Sequence, residues 1–189
     1  MTETLEAIVE HCNKDTLVVF DVDGTLVVDD SYPIRLVDEK APEIIRQLVD
    51  KGVKIMALTG REIGRHASTV KQLEQAGITF DVHSPWKMPM VMRKKDIAYY
   101  KQGVMCCGTS NKGAVLKNFL NRLDRIPCNT YHPQQIVFVD DIEENVRGVT
   151  AAFADSPRVV TAFYYAWWQQ LFKKRRRLDA AHFEQAFLA

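Results

Sequence analysis

No apolar run in the 189 residues approaches the roughly 20 needed to span a bilayer, so no membrane-crossing segment is expected. There is no CxxC motif. The four cysteines are Cys12, Cys106, Cys107 and Cys128, and the adjacent pair 106–107 is a poor disulfide, so all four read as reduced thiols packed as small hydrophobes. The histidines His11, His66, His83, His132 and His182 share no metal-ligand spacing with one another or with the cysteines, which argues against zinc chemistry. They read as packed or solvated side chains. Neither charge is in excess: 25 Lys and Arg stand against 24 Asp and Glu, so the whole chain offers no nucleic-acid or membrane signal. The start, Met1-Thr2-Glu3-Thr4-Leu5-Glu6, lacks the basic stretch and apolar centre of a signal peptide. Cytoplasmic synthesis and folding are expected, with export by a route without a cleaved signal left open. Internal repeats, low-complexity segments and interdomain linkers are absent as well.

What is present is a hydrophobic content of 47% in a chain long enough for one compact domain. Leu17-Val18-Val19-Phe20 is continuously apolar, a texture expected of a strand buried on both faces of a parallel sheet. The same texture recurs at 53–58 and 136–139. Helical periodicity is read at 2–13, 41–50, 62–75 and 112–123, with Gly52 and Gly77 where helix ends are expected. Strand alternating with helix predicts an α/β fold, a Rossmann-like parallel sheet flanked by helices. Polar residues come directly after each apolar run: Asp21 and Asp23, then Thr59 and Arg61, then Asp140 and Asp141. Open parallel sheets place their sites outside the carboxyl ends of the strands. The three runs therefore point at one shared site.

The strongest local signal is Asp21-Val22-Asp23-Gly24-Thr25. Two acids one residue apart can face one pocket as a strand ends, and Gly24 permits a tight turn and a close approach to phosphate. With Leu58-Thr59-Gly60-Arg61, Lys112 in Asn111-Lys112-Gly113, and Val139-Asp140-Asp141, the chain resembles the haloacid dehalogenase (HAD) superfamily, whose four motifs occur here in order over about residues 17–149. The resemblance implies Asp21 as nucleophile and Asp23 as general acid and base. It implies that the Thr59 hydroxyl contacts a phosphoryl oxygen, that Lys112 neutralises charge, and that Gly24, Gly60 and Arg61 bind phosphate. A Mg²⁺ ion would be held by Asp21, Asp23 (through its backbone carbonyl), Asp140 and Asp141, with Asn145 bracing the last loop. An acid at position 23 separates phosphate-ester chemistry from the dehalogenase, phosphonatase and ion-pump branches. The expected function is therefore a phosphatase working through an aspartyl-phosphate, with a small-molecule phosphatase or a phosphomutase as the alternative.

Inserts large enough for a cap domain are missing. Only about 27–40 remain as a flap, and 78–110 reads as sheet edge and hairpin or a miniature cap, so a capless or minimally capped enzyme is expected. An open mouth suits a macromolecular substrate, a phosphoprotein before a nucleic acid, and Tyr32, Trp86 and Tyr100 are candidates to flank a phosphotyrosine ring. The layout, including Tyr164-Tyr165, is also similar to HAD-like effector phosphatases of intracellular bacteria that act on phosphotyrosine; such an effector would meet its substrate in a host cell. Residues 1–165 are expected to form the catalytic domain. Residues 166–189 are expected to form a C-terminal aromatic and basic helix, with Trp167, Trp168 and the run Lys173-Lys174-Arg175-Arg176-Arg177. That tail either packs on the core or, as a recruitment surface, touches a membrane or phosphoinositide, and it would lead into another domain if the chain is a fragment.

Overall fold

The computed structural model describes residues 4–28, 33–93 and 97–166. Among them, seven strands form one sheet: β1 (Thr16–Phe20), β2 (Lys54–Thr59), β3 (Met90–Met92), β4 (Ala98–Lys101), β5 (Val104–Cys106), β6 (Gln135–Asp140) and β7 (Val159–Tyr164), in the order β3-β4-β5-β2-β1-β6-β7. The five strands from β5 to β7 run parallel, and β4 and β3 extend that edge antiparallel. Helices α1 (Glu6–Val9), α2 (Ala41–Asp50), α3 (His66–Gln75), α4 (Lys112–Leu123) and α5 (Glu143–Ala152) flank the sheet. This is the Rossmann-like α/β arrangement, a mostly parallel sheet flanked by helices, that the alternation of runs predicts.

The continuous apolarity of the central strands comes from their being covered twice. Val18, Phe20, Ile55, Ala57, Val137 and Val139 point to one layer, where they meet Ile44, Ile45 and Leu48 of α2. Leu17, Val19, Met56, Leu58, Ile136 and Phe138 point to the other and meet Val115, Leu116, Phe119 and Leu120 of α4. Each fully buried side chain of this size is worth about 1.5–3 kcal/mol relative to exposure. Reversing any one strand face would therefore be prohibitive. The expected bounds of α2 and α4 agree with the structure, and Gly52 and Gly77, both at positive φ, lie just beyond the ends of α2 and α3.

Other expectations need correction. Of the helix read at 2–13, the described residues hold a single four-residue turn, Glu6–Val9; Leu5, Ile8 and Cys12 are buried all the same, because a short helix can still turn one apolar side to the core. The helix read from 62 begins with a 3₁₀ turn at Ile63–Arg65, and the α-helical part starts only at His66. Tyr100 is a packing residue rather than a rim residue, and Trp86 is half-buried against the same core layer. Tyr100 is fully buried, its hydroxyl donates to the Trp86 carbonyl (2.7 Å), and its ring lies 4.7 Å from that of Phe119. Tyr32 lies outside the described residues, as do His182 and the tail from Trp167 onward. Cys12, Cys106 and Cys107 are buried as expected, whereas Cys128 is exposed. His66 is buried with Nε2 donating to the carbonyls of Lys101 (2.9 Å) and Val104 (3.2 Å), a packed histidine.

Both inserts stay small. The 78–110 stretch is absorbed into the sheet as β3, β4 and β5. The flap after β1 folds back on itself, Val28 N–H donating to the Arg35 carbonyl and Val37 N–H to that of Leu26, with Leu26, Val27 and Val37 in the core. Among the described residues no separate cap stands over the carboxyl ends of the strands, and no helix is long and apolar enough to cross a membrane.

Candidate active site

Asp21 is the first residue beyond β1, its N–H donating to the Val139 carbonyl of β6 (2.8 Å). Asp140 is the last residue of β6. Lys112 is the first residue of α4, where Asn111 caps the helix by accepting from the Ala114 N–H (2.9 Å). Neighbouring parallel strands and one helix start thus deliver three charges to one point. Lys112 Nζ donates to Asp21 Oδ1 (2.5 Å) and to Asp140 Oδ2 (2.7 Å). All three side chains are buried, which makes each charge costly unless paired. Asp140 gains further partners, the Ile142 N–H (2.9 Å) and Asn145 Nδ2 (3.0 and 3.1 Å). Thr25 Oγ1 donates to Asp21 Oδ2 at 3.4 Å.

Asp141 lies beside this triangle, and Gly24 makes room for it. A Cβ at position 24 would sit 2.1 Å from Asp141 Oδ2, and the residue holds φ +79°, so a larger residue would be strained and would displace the Asp141 carboxylate. What packs against Gly24 here is the Asp141 carboxylate. Carboxylate oxygens of Asp21, Asp140 and Asp141 all come within 4.8 Å of one another. Burial, with the Asp140 charge adding to it, pushes the Asp21 carboxyl up to about 7, Lys112 opposing. Burial and then Asp140 push Asp141 up to about 6. Burial works against the Lys112 charge too, but the two aspartates outweigh it and hold its pKa above the ordinary range. One ammonium among three acids leaves negative charge in excess. An all-oxygen, acid-rich donor set of this kind could hold a hard divalent cation, so the residues fit the expected metal.

Asp23 stands at the mouth with its side chain 40% exposed. Arg61 directs its guanidinium at it: Nε donates to Oδ2 (2.8 Å) and Nη2 to Oδ1 (2.6 Å). Behind, Arg61 Nη1 reaches Thr69 Oγ1 (3.2 Å) and Gln72 Oε1 of α3. Arg61, expected as a phosphate ligand, therefore sits beside the second acid, and its side chain is only 4% exposed. Thr59 is buried at the end of β2, its hydroxyl accepting the Arg61 N–H (3.1 Å) and keeping its own hydrogen to donate. Gly60 lies on the cleft wall.

The cleft is open, about 310 Å³, lined by Asp21, Asp23, Lys112, Gly60, Thr109 and Asn145 among others. Its 108–110 loop and the Thr25 bond to Asp21 escaped sequence reasoning. Thr25 carried a usable signal, as the last residue of the DxDGT motif. The loop carried none, because the strand that leads into it is three residues long.

The family model described as "Protein of unknown function (DUF2608)" matches residues 31–184, and the chain belongs to that family. No curated protein matches it. Among solved structures, the HAD domain of the effector protein Lem4 from Legionella pneumophila, an inactive mutant, is similar over 84% of this chain and 91% of that one, at 12% identity and a TM-score of 0.49. That distance is too great to carry function across.

Proposed function

We propose that this chain is a Mg²⁺-dependent phosphatase that hydrolyses phosphate monoesters through an aspartyl-phosphate on Asp21, acting on a macromolecular substrate such as a phosphotyrosine protein. The observation that carries the reading is the buried Asp21–Lys112–Asp140 triangle, which opens to a cleft with a second acid, Asp23, at its mouth. An Asp21 oxygen attacks phosphorus in line, and the bond to the leaving oxygen breaks. Asp23 gives that oxygen a proton and takes one from the water that later frees the phosphate. The Lys112 ammonium offsets charge on the nucleophile and the transferring group, and the Thr59 hydroxyl donates to a phosphoryl oxygen. Asp21, Asp140, Asp141 and the backbone carbonyl of Asp23 would hold Mg²⁺, which when bound neutralises phosphoryl charge.

The open mouth favours a large substrate, since among the described residues no domain closes over it to enclose a small one. Lacking such a closure also weighs against a phosphomutase, which must keep water out. Under this reading the protein works in a cytosol, either that of the producing cell or, as an effector, that of a host. The test is a Mg²⁺-dependent screen of p-nitrophenyl phosphate, phosphotyrosine peptides, phosphoserine peptides and small phosphate esters. Activity should require Mg²⁺ and vanish in Asp21→Asn. Retained turnover in that variant removes the nucleophile, and preference for small esters removes the phosphoprotein.

A further inference from the structure

We propose that Arg61 is the positioning residue for Asp23, and that its fork presents Asp23 as proton acceptor in the second half-reaction, the hydrolysis of the aspartyl-phosphate. The inference rests on the phosphatase reading above.

Asp23 stands partly in solvent, where a free aspartate would sample several rotamers. Arg61 removes that freedom. The Nε and Nη2 edge of its planar guanidinium meets both carboxylate oxygens at 2.8 and 2.6 Å, the bidentate geometry that a lysine cannot supply. The opposite edge is held to α3 by Thr69 and Gln72, and Thr69 Oγ1 donates in turn to the Arg65 carbonyl at 2.9 Å. The backbone of Arg61 is pinned as well, its N–H to Thr59 Oγ1 and its carbonyl by the Gly108 N–H at 3.1 Å. A continuous line of contacts thus runs from α3 through Arg61 to the rim of the cleft.

Each carboxylate oxygen has a second lone pair beyond the one that Arg61 engages. Held in this way, Asp23 faces the cleft as a base whose direction is set. The step that uses such a base is the attack of water on phosphorus. The water oxygen forms the new P–O bond and Asp23 takes the water's proton. The bond from phosphorus to the Asp21 oxygen breaks with its electron pair returning to Asp21, and phosphate leaves. The first half-reaction can be made independent of Asp23 by choice of substrate, because p-nitrophenolate departs without a proton.

The experiment is stopped-flow and steady-state hydrolysis of p-nitrophenyl phosphate with Mg²⁺, using wild type, Arg61→Ala, Arg61→Lys and Gln72→Ala. In both Arg61 variants kcat and KM should fall together, on the order of 10–100-fold as expected for a misplaced catalytic group. Their ratio should stay near wild type, preceded by a burst of p-nitrophenolate approaching one per enzyme and by a phosphoenzyme sensitive to hydroxylamine. Gln72→Ala, which loosens the anchor, should show the same joint fall at smaller amplitude. A loss of kcat/KM without a burst, or an Arg61→Lys variant equal to wild type, overturns the inference while leaving the phosphatase reading in place. Wild type without Mg²⁺-dependent hydrolysis overturns both. Should neither Arg61 variant fold, the joint fall in Gln72→Ala supports the inference, and wild-type kinetics there overturn it.

Discussion

Gly113 of α4 and Gly148 of α5 meet backbone to backbone: a Cβ on Gly113 would lie 2.4 Å from the Gly148 carbonyl oxygen and 2.9 Å from Ala152 Cβ. Lys112 precedes this contact, and Asn145, which holds Asp140, lies one helical turn before its other side. The packing of the two helices therefore places Lys112 relative to Asn145, and through it relative to Asp140. Gly113→Ala should cost about 1–3 kcal/mol, the range for overfilling a packed site, with activity falling further than stability. Gly64→Ala is the control, since nothing lies within 4 Å of a Cβ there. Denaturant melts of both variants check the contrast.

Lys112 is the cation shared by two buried acids. Lys112→Met keeps the bulk of the chain but leaves Asp21 and Asp140 facing each other without it. Removing one partner from a buried ionic cluster typically costs about 3–5 kcal/mol. Because the repulsion that remains is between carboxylates, the loss should be greater at pH 8 than at pH 5. Unfolding free energies at the two values would show it, and equal losses would indicate that the ammonium matters for shape rather than charge.

Asp21 and Asp141 titrate upward of an ordinary carboxyl, at about 7 and about 6. A raised carboxyl favours the protonated folded state, so its contribution to stability is fully present below the unfolded carboxyl value of about 4 and is lost as pH climbs from there through 6 to 7. A cation needs these oxygens deprotonated and offsets what deprotonation costs. The rise in melting temperature on adding Mg²⁺ should therefore be small at pH 5.5 and larger at pH 8. A shift that does not grow with pH would separate the metal from these acids.

Burial raises the thiols of Cys106 and Cys107 to about 11 and about 12, and Cys12 to about 11. Almost no thiolate is present at pH 7.5, and the thiolate is the reactive form. Iodoacetamide should label the exposed Cys128 alone in the native protein and leave hydrolysis of p-nitrophenyl phosphate intact. Mass spectrometry of the labelled chain, with activity measured on the same sample, tests both halves. Inactivation accompanying the labelling of Cys107 would point to a thiol beside the chemistry.

Much of the frame was legible in the sequence. A strand covered on both faces must be apolar at every position, so β1, β2 and β6 could be read from composition alone, and the polar residues after them had to gather at one edge. The bounds of α2 and α4 were equally plain, because a ten- or twelve-residue amphipathic pattern leaves little freedom. Short elements were not legible. Three-residue strands such as β3 and β5 bury too few side chains to show a period, and among the described residues the N-terminal helix lasts one turn where the apolar spacing suggested three.

Within the site, residue identities belonged to the sequence and their pairings to the tertiary fold. Asp21, Asp23, Lys112 and Asp140 stand out because the ends of parallel strands and the start of a helix all open onto the same edge of the sheet. That Lys112 reaches Asp21 across 91 positions, and that Arg61 takes Asp23 across 38, depends on distances that only packed helices set. Hydrogen bonds fall off within a few tenths of an ångström, whereas sequence spacing locates a side chain only to an element and a face. The chain alone determined which chemistry is at hand; the docking of α3, α4 and α5 decided which acid meets which cation.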